Sequence, residues 1–166
     1  MSVSAAPRSG STELAAVALR VTLAVLFLSV WGSNLHKGLY STHGYQALIR
    51  SYVETGNAPG AWKSVMRAVA DAGAVTSKAQ LATELAFGLL LLAGIATRLV
   101  AFGAALFLAA LWLSEIGVPH EWIWSLAFPT LAALLVSLFS AGRTLGLDRW
   151  LLERDPLQRL PPWARG

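Results

Sequence analysis

The sequence predicts an all-α membrane protein, a bundle of four transmembrane helices with two short amphipathic helices in its first external loop. Three observations predict it. The 166 residues are 55% apolar and only 13% charged, whereas a soluble domain averages about 45–50% and ~25%. Four stretches are apolar enough to cross a hydrocarbon core of about 30 Å, which takes about 20 residues in a helix because every backbone polar group must be satisfied within the segment. In the long segment between the first and second stretches, apolar residues return with the period of a helix.

The first span is placed at 14–34 and carries a single charge, Arg20. An apolar run near the N-terminus invites comparison with a signal peptide, but it exceeds an h-region of about 7–15 residues and no A-x-A site follows, so it reads as a retained helix. Residues 1–13 read as a disordered leader. The segment 35–78 is too long for a simple connection. Within it Tyr45, Leu48, Ile49, Tyr52 and Val53 form one amphipathic stripe, Gly56, Pro59 and Gly60 break the chain, and Trp62, Val65, Met66, Val69 and Ala70 form a second stripe ending at Gly73. Two helices lying on the bilayer or capping the bundle would bury these faces. Spans at 79–96, 99–116 and 123–140 follow, the middle link holding Arg98, and 153–166 is a polar tail.

Lys and Arg in short flanks mark cytoplasmic ends. Arg8, Arg98 and the tail arginines Arg143, Arg149, Arg154, Arg159 and Arg165 place both termini in the cytoplasm, while the link between the last two spans holds Glu115, His120 and Glu121 and no Lys or Arg. The first external loop carries Lys37, Arg50, Lys63, Arg67 and Lys78, which long loops tolerate when they translocate. The net charge of +4 therefore suits lipid headgroups rather than nucleic acid. A bacterial-type inner membrane is the expected location.

Several chemistries are excluded by what the chain lacks. It has no Cys, hence no disulfide, thiolate nucleophile or iron–sulfur ligation of its own. There is no G-x-S-x-G, no Walker loop and no G-x-G-x-x-G after a strand. With three His and no H-E-x-x-H or H-x-x-E-H spacing, no metal site is expected, and no covalent cofactor site is evident. Axial haem ligation by His36, His43 or His120 stays open, although all three fall outside the spans.

An ionisable group at membrane depth costs about 2.5–3.5 kcal/mol on insertion scales and needs a partner or a function. Glu84 is the sharpest case, about a turn and a half into the second span, with Gly88 one turn below on the same face, open to a backbone or a flat ligand. It would relay protons or hold a quinone or quinol hydroxyl, or else pair with a cation that fixes packing. Arg20 lies near the cytoplasmic end and can snorkel there. His36 and Lys37, at the external end of the first span, are the expected companions of Glu84. A second constellation is Glu115, His120, Glu121, Trp122 and Trp124: the Trp residues anchor at the headgroup level or flank a cofactor, and His120 with Glu121 could exchange protons at the outer face. Arg98 anchors the short cytoplasmic link.

The order of these features resembles the DoxX/DoxD family of small four-helix membrane proteins. The pieces that carry it are Leu19-Arg20, His36-Lys37-Gly38, Glu84 with Gly88 and Gly94, Arg98, and the tail Ala141-Gly142-Arg143-Thr144-Leu145-Gly146-Leu147-Asp148, over about 14–152. The resemblance implies a structural role for Arg20, Gly94, Arg98, Arg143 and Asp148. It implies a membrane subunit of a quinone-linked oxidoreductase, thiosulfate:quinone oxidoreductase among them, with a DoxA-like, rhodanese-like or superoxide dismutase-like partner. Glu84, Gly88, Lys37, Trp122 and Trp124 would line the quinone site, and Glu84, His36, Lys37, His120 and Glu121 would handle protons. The competing readings are a noncatalytic anchor that recruits a redox partner, and a small-solute transporter built from several copies.

Overall fold

The computed structural model describes residues 10–122, 124–139 and 146–148, and among these the regular structure is entirely helical. Six helices follow in order: α1 (Gly10–His36), α2 (Thr42–Thr55), α3 (Gly60–Asp71), α4 (Gly73–Ala93), α5 (Thr97–Glu115) and α6 (Trp124–Leu138). Arg143, the tail 153–166 and most of the N-terminal leader lie outside the described residues. Residues 10–13, expected to be disordered, instead form the first turn of α1, with Glu13 at the positive end of the helix dipole.

Three helices, α1, α4 and α5, are long and apolar enough to cross a membrane. α6 is apolar but has 15 described residues, a length of about 22 Å at 1.5 Å per residue. Val25, Leu89, Phe102, Leu106 and Leu138 are all half or more exposed on the outer faces, and such a belt has no place against water. Inside, the core is built of Leu23, Phe27, Leu91, Leu108 and Val136 interleaved with Ala24, Ala101, Ala104, Ala105 and Ala133. Small residues let helices approach closely where lipid removes the hydrophobic drive for their association.

α1 packs chiefly on α4, and α5 chiefly on α6. The α1–α4 pair is antiparallel: Arg20 lies beside Gly94, Leu28 beside Gly88 and Asn34 beside Glu84. A Cβ on Gly88 would stand 2.7 Å from the Leu28 side chain, so this glycine is taken up by helix packing and does not admit a flat ligand. Phe27, Phe87 and Phe107 meet at ring centroids of 5.3, 5.7 and 6.3 Å and tie α1, α4 and α5 at one level.

α4 begins at Gly73, six residues before the apolar run that announced it. Thr76, Ser77 and Lys78 are too polar to read as membrane span, yet they continue the helix past the end of α1. Gly73, expected to end the second amphipathic helix, opens α4, and a Cβ there would stand 2.6 Å from Gln46 of α2.

The two amphipathic helices form where their stripes place them, with a core of Tyr45, Ile49, Val53, Ala58, Met66 and Ala70. They cap the bundle. Gln46 Nε2 donates to the Ala70 carbonyl at 3.0 Å, Thr76 Oγ1 donates to that of Val69 at 2.8 Å, and Trp62 Nε1 donates to Ser114 Oγ on α5 at 2.9 Å. Tyr52 donates to Glu121 at 3.0 Å, and the Asn57 amide to the Ile116 carbonyl at 2.5 Å.

The opposite end is closed by the α4–α5 turn. Gly94 is left-handed, with φ of 67°, and the Ile95 amide reaches back to the Leu90 carbonyl at 3.0 Å in a Schellman turn. Ala96, which precedes α5, has no side-chain acceptor, so Asp148 supplies one from the far end of the chain: its carboxylate accepts from the Ala96 and Thr97 amides at 2.6 and 2.9 Å. Arg20, expected to snorkel outward, is 2% exposed and passes under Gly94 toward Asp148. Arg98 Nε donates to the Ser137 carbonyl at 3.1 Å and joins α5 to α6.

Gly94→Ala places a Cβ 2.2 Å from Arg20 Nη1 and 2.8 Å from Gly146 Cα in a left-handed conformation, and should destabilise the protein by about 1–3 kcal/mol. Gly32→Ala, with nothing within 4 Å of the new Cβ, should leave it unchanged or gain up to about 1 kcal/mol. Thermal unfolding in a single detergent reads both. Asp148→Ala strips α5 of its cap and should cost about 1–2 kcal/mol in the same measurement.

Candidate functional site

Glu84 lies in the middle of α4, on the face that buries Gly73, Ser77, Gly88 and Leu91, and it is 1% exposed. Because α4 starts early, Glu84 is three turns into its helix rather than one and a half. A carboxylate there needs donors, and the fold brings three. Gln80, one turn earlier on the same helix, donates from Nε2 to Oε1 at 2.8 Å. Tyr40 donates its hydroxyl to Oε2, and Asn34 Nδ2 lies 3.4 Å from the same oxygen.

Tyr40 reaches Glu84 because α1 ends in a second Schellman turn. Gly38 takes φ of 71°, the Leu39 amide donates to the Asn34 carbonyl at 2.9 Å, and the chain folds back over the end of α1. Ser41 then caps α2 by accepting from the Gly44 amide at 3.0 Å. A Cβ on Gly44 would stand 2.4 Å from the Gly38 carbonyl oxygen, so the turn closes this tightly only with glycine at that position. Lys78 Nζ donates to the Tyr40 carbonyl at 3.0 Å and pins the turn to α4.

His36 and Lys37 do not join this cluster. Both are exposed, His36 at the end of α1 and Lys37 in the turn that follows it. On the surface of the cap Arg50 pairs with Asp71 at 3.3 Å. Asn34, Tyr40 and Gln80 were missed. Gln80 was legible as the i−4 neighbour of Glu84, but Asn34 and Tyr40 depend on where α1 stops and how the chain turns.

The second constellation is divided. Glu121 accepts from Tyr52 and fastens the cap, while His120 is exposed in the loop with φ of 70°. Trp122 and Trp124 are 65% and 51% exposed, the latter stacked on Phe128 at 5.7 Å, and neither approaches Glu84 through any contact. Arg50 and Arg67 line a groove of about 400 Å³ on the cap with Val53, Glu54 and Asp71. Lys63 is turned to the Gly56 carbonyl at 2.7 Å. Among the described residues no His, Asp and Glu gather as a metal set.

The cluster contains a weak acid paired with a strong acceptor. Burial raises the Tyr40 hydroxyl above its ordinary value, and its hydrogen bond to Glu84 raises it further. Tyr45 is raised by burial and then by the charge of Glu84, and Tyr52 by burial and then by Glu115 and Glu121. No family model, curated protein or solved structure matches the chain.

The chain has three Tyr, and all are shifted upward. Tyrosinate absorbance of the folded protein should therefore show no ionisation with a midpoint near the ordinary 10.0. The unfolded chain loses these protons first, so the stabilisation is complete below about pH 10 and is lost as pH rises above it. A tyrosine titrating at its ordinary value in the folded state would contradict this arrangement.

Proposed function

We propose that the chain is a four-span protein of a bacterial-type cytoplasmic membrane, with α6 as the fourth crossing and both termini in the cytoplasm, and that it serves as the membrane subunit of a quinone-linked oxidoreductase. The observation that carries this reading is the buried Glu84 carboxylate with the Tyr40 hydroxyl hydrogen-bonded to it. An acid held at membrane depth by neutral donors, with no ion pair to it among the described residues, is suited to exchanging a proton with a lipid-soluble redox partner. Glu84 would accept the proton of a quinol hydroxyl or return one to a reduced quinone. Tyr40, Asn34 and Gln80 would hold the carboxylate in place through the change of charge. Lys78, through the Tyr40 carbonyl, would set the position of the turn. The electrons would belong to a partner subunit and its substrate, a thiosulfate-like sulfur compound being the reading that the DoxX/DoxD resemblance supports.

The groove on the cap supports a second reading, a noncatalytic anchor, because Arg50, Arg67, Glu54 and Asp71 offer a mixed-charge surface to a soluble redox partner. Binding separates the two. Purified protein in lipid discs should bind a short-chain ubiquinone or menaquinone, and both Glu84→Gln and Tyr40→Phe should weaken that binding at least several-fold. Equal affinity in all three proteins removes the role given to Glu84. Membranes containing the chain and its partner should reduce quinone on addition of thiosulfate, whereas an anchor alone would copurify with its partner and leave quinone reduction unaffected.

A further inference from the structure

Every hydrogen bond that Glu84 makes among the described residues is one it accepts. Gln80 Nε2 donates to Oε1 at 2.8 Å, the Tyr40 hydroxyl donates to Oε2, and Asn34 Nδ2 lies 3.4 Å from that same oxygen. Such a shell suits an ionised carboxylate, which only accepts. A protonated carboxyl carries an O–H of its own, and a buried O–H aimed at donors goes unsatisfied. The reading of Glu84 as a proton-exchanging acid, on which this inference rests, therefore requires one neighbour to turn from donor to acceptor.

The charged side chains nearby are engaged elsewhere. Lys78, on the same helix, is turned to the Tyr40 carbonyl, and α5 carries its charges at its two ends, Arg98 and Glu115. From α1, Arg20 lies at the far end of the bundle and His36 is exposed. The titratable groups that Glu84 acts upon are two tyrosines, Tyr40 in the turn and Tyr45 on α2.

One part of the shell can reverse. The Asn34 amide also hydrogen-bonds the Tyr40 hydroxyl, so Asn34, Tyr40 and Oε2 of Glu84 form a linked group of three. A hydroxyl both donates and accepts, and a primary amide presents N–H on one side and a carbonyl on the other. A half turn of the Asn34 amide brings Oδ1 to the place of Nδ2. Tyr40 then directs its proton to Oδ1 instead of Oε2, and its oxygen accepts from the new O–H on Oε2. The balance is simple: Oε2 gains one proton, Tyr40 keeps its own, and no bond between heavy atoms breaks. Asn34 gives way at less cost than Gln80, because its contact with the carboxylate is longer than the about 2.7–3.2 Å of an ordinary N–H···O bond. Gln80, at 2.8 Å, holds Oε1 in both states. We infer that Asn34 is the positioning residue through which Glu84 takes up a proton, its amide reversing as the carboxyl becomes neutral.

The chain contains two Asn, Asn34 and Asn57, so carbon-13 at the asparagine carboxamide marks two side chains. The full chain in lipid discs is taken from neutral to acid pH and its infrared difference spectrum is recorded. A protonated-carboxyl band that Glu84→Gln abolishes should rise, and a labelled amide band should shift with it. Asn34→Ala should abolish that shift and Asn57→Ala should retain it, the second variant assigning the band even if the first does not fold. In Asn34→Ala the ratio of protonated to ionised Glu84 at a given pH should fall about five- to thirtyfold, because Tyr40 and the new O–H no longer both find acceptors. A Glu84 band that rises while the Asn34 amide stays still overturns this inference and leaves the reading of Glu84 standing. So does a shift of a glutamine amide that Gln80→Ala abolishes. If no Glu84 band rises at any pH at which the protein stays folded, both fall.

Discussion

A carboxylate buried between two apolar helices is the constraint around which the capped end of this protein is arranged. In a low-dielectric interior Glu84 cannot be left to water, and the fold surrounds it with protein donors. That requirement reaches well beyond one side chain. It accounts for α1 stopping at His36, for the left-handed Gly38 that folds Tyr40 back over the helix end, and for the Lys78 contact that holds the turn against α4. Gly88 serves the same end, because close approach of Leu28 keeps the paired helices near enough for Asn34 and Tyr40 to reach across.

The other end solves a related problem with opposite charges. The start of α5 presents backbone amides with no local acceptor, and Asp148 answers them from a segment distant in sequence. Arg20 lies buried beside this carboxylate beneath Gly94, in a space that a Cβ would occupy. Between the two polar ends the helices meet through phenyl rings and alanines. Polar groups therefore fix register at each end, and close packing of small residues holds the middle.

The cap links this architecture to the chemistry proposed for it. α2 and α3 carry their own small core, yet they are fastened to α5 through Trp62 and to the loop after it through Tyr52 and Asn57. They pack against α4, the helix that carries Glu84. Glu84 itself is 1% exposed. The titratable residues that stand out in sequence, His36, Lys37 and His120, stay outside the buried cluster, and the buried work falls to neutral groups.

By itself the sequence determined the helical class, the apolar runs, both amphipathic stripes and Glu84 as an ionisable group within an apolar helix, because each follows from local periodicity or from one costly residue. Gln80 was equally within reach, being one turn from Glu84 on the same helix. Tertiary structure decided the rest. Where α1 ends, that α4 starts at Gly73, and which residues face Glu84 are set by packing between segments far apart in the chain. Local hydropathy treats Thr76, Ser77 and Lys78 as loop, whereas contact with α2 and α3 makes them helix. Charge alone favoured His36 and Lys37 as partners of Glu84, but the turn at Gly38 leaves them outside and carries a tyrosine in, since a buried carboxylate is satisfied by whatever donor the backbone delivers to it.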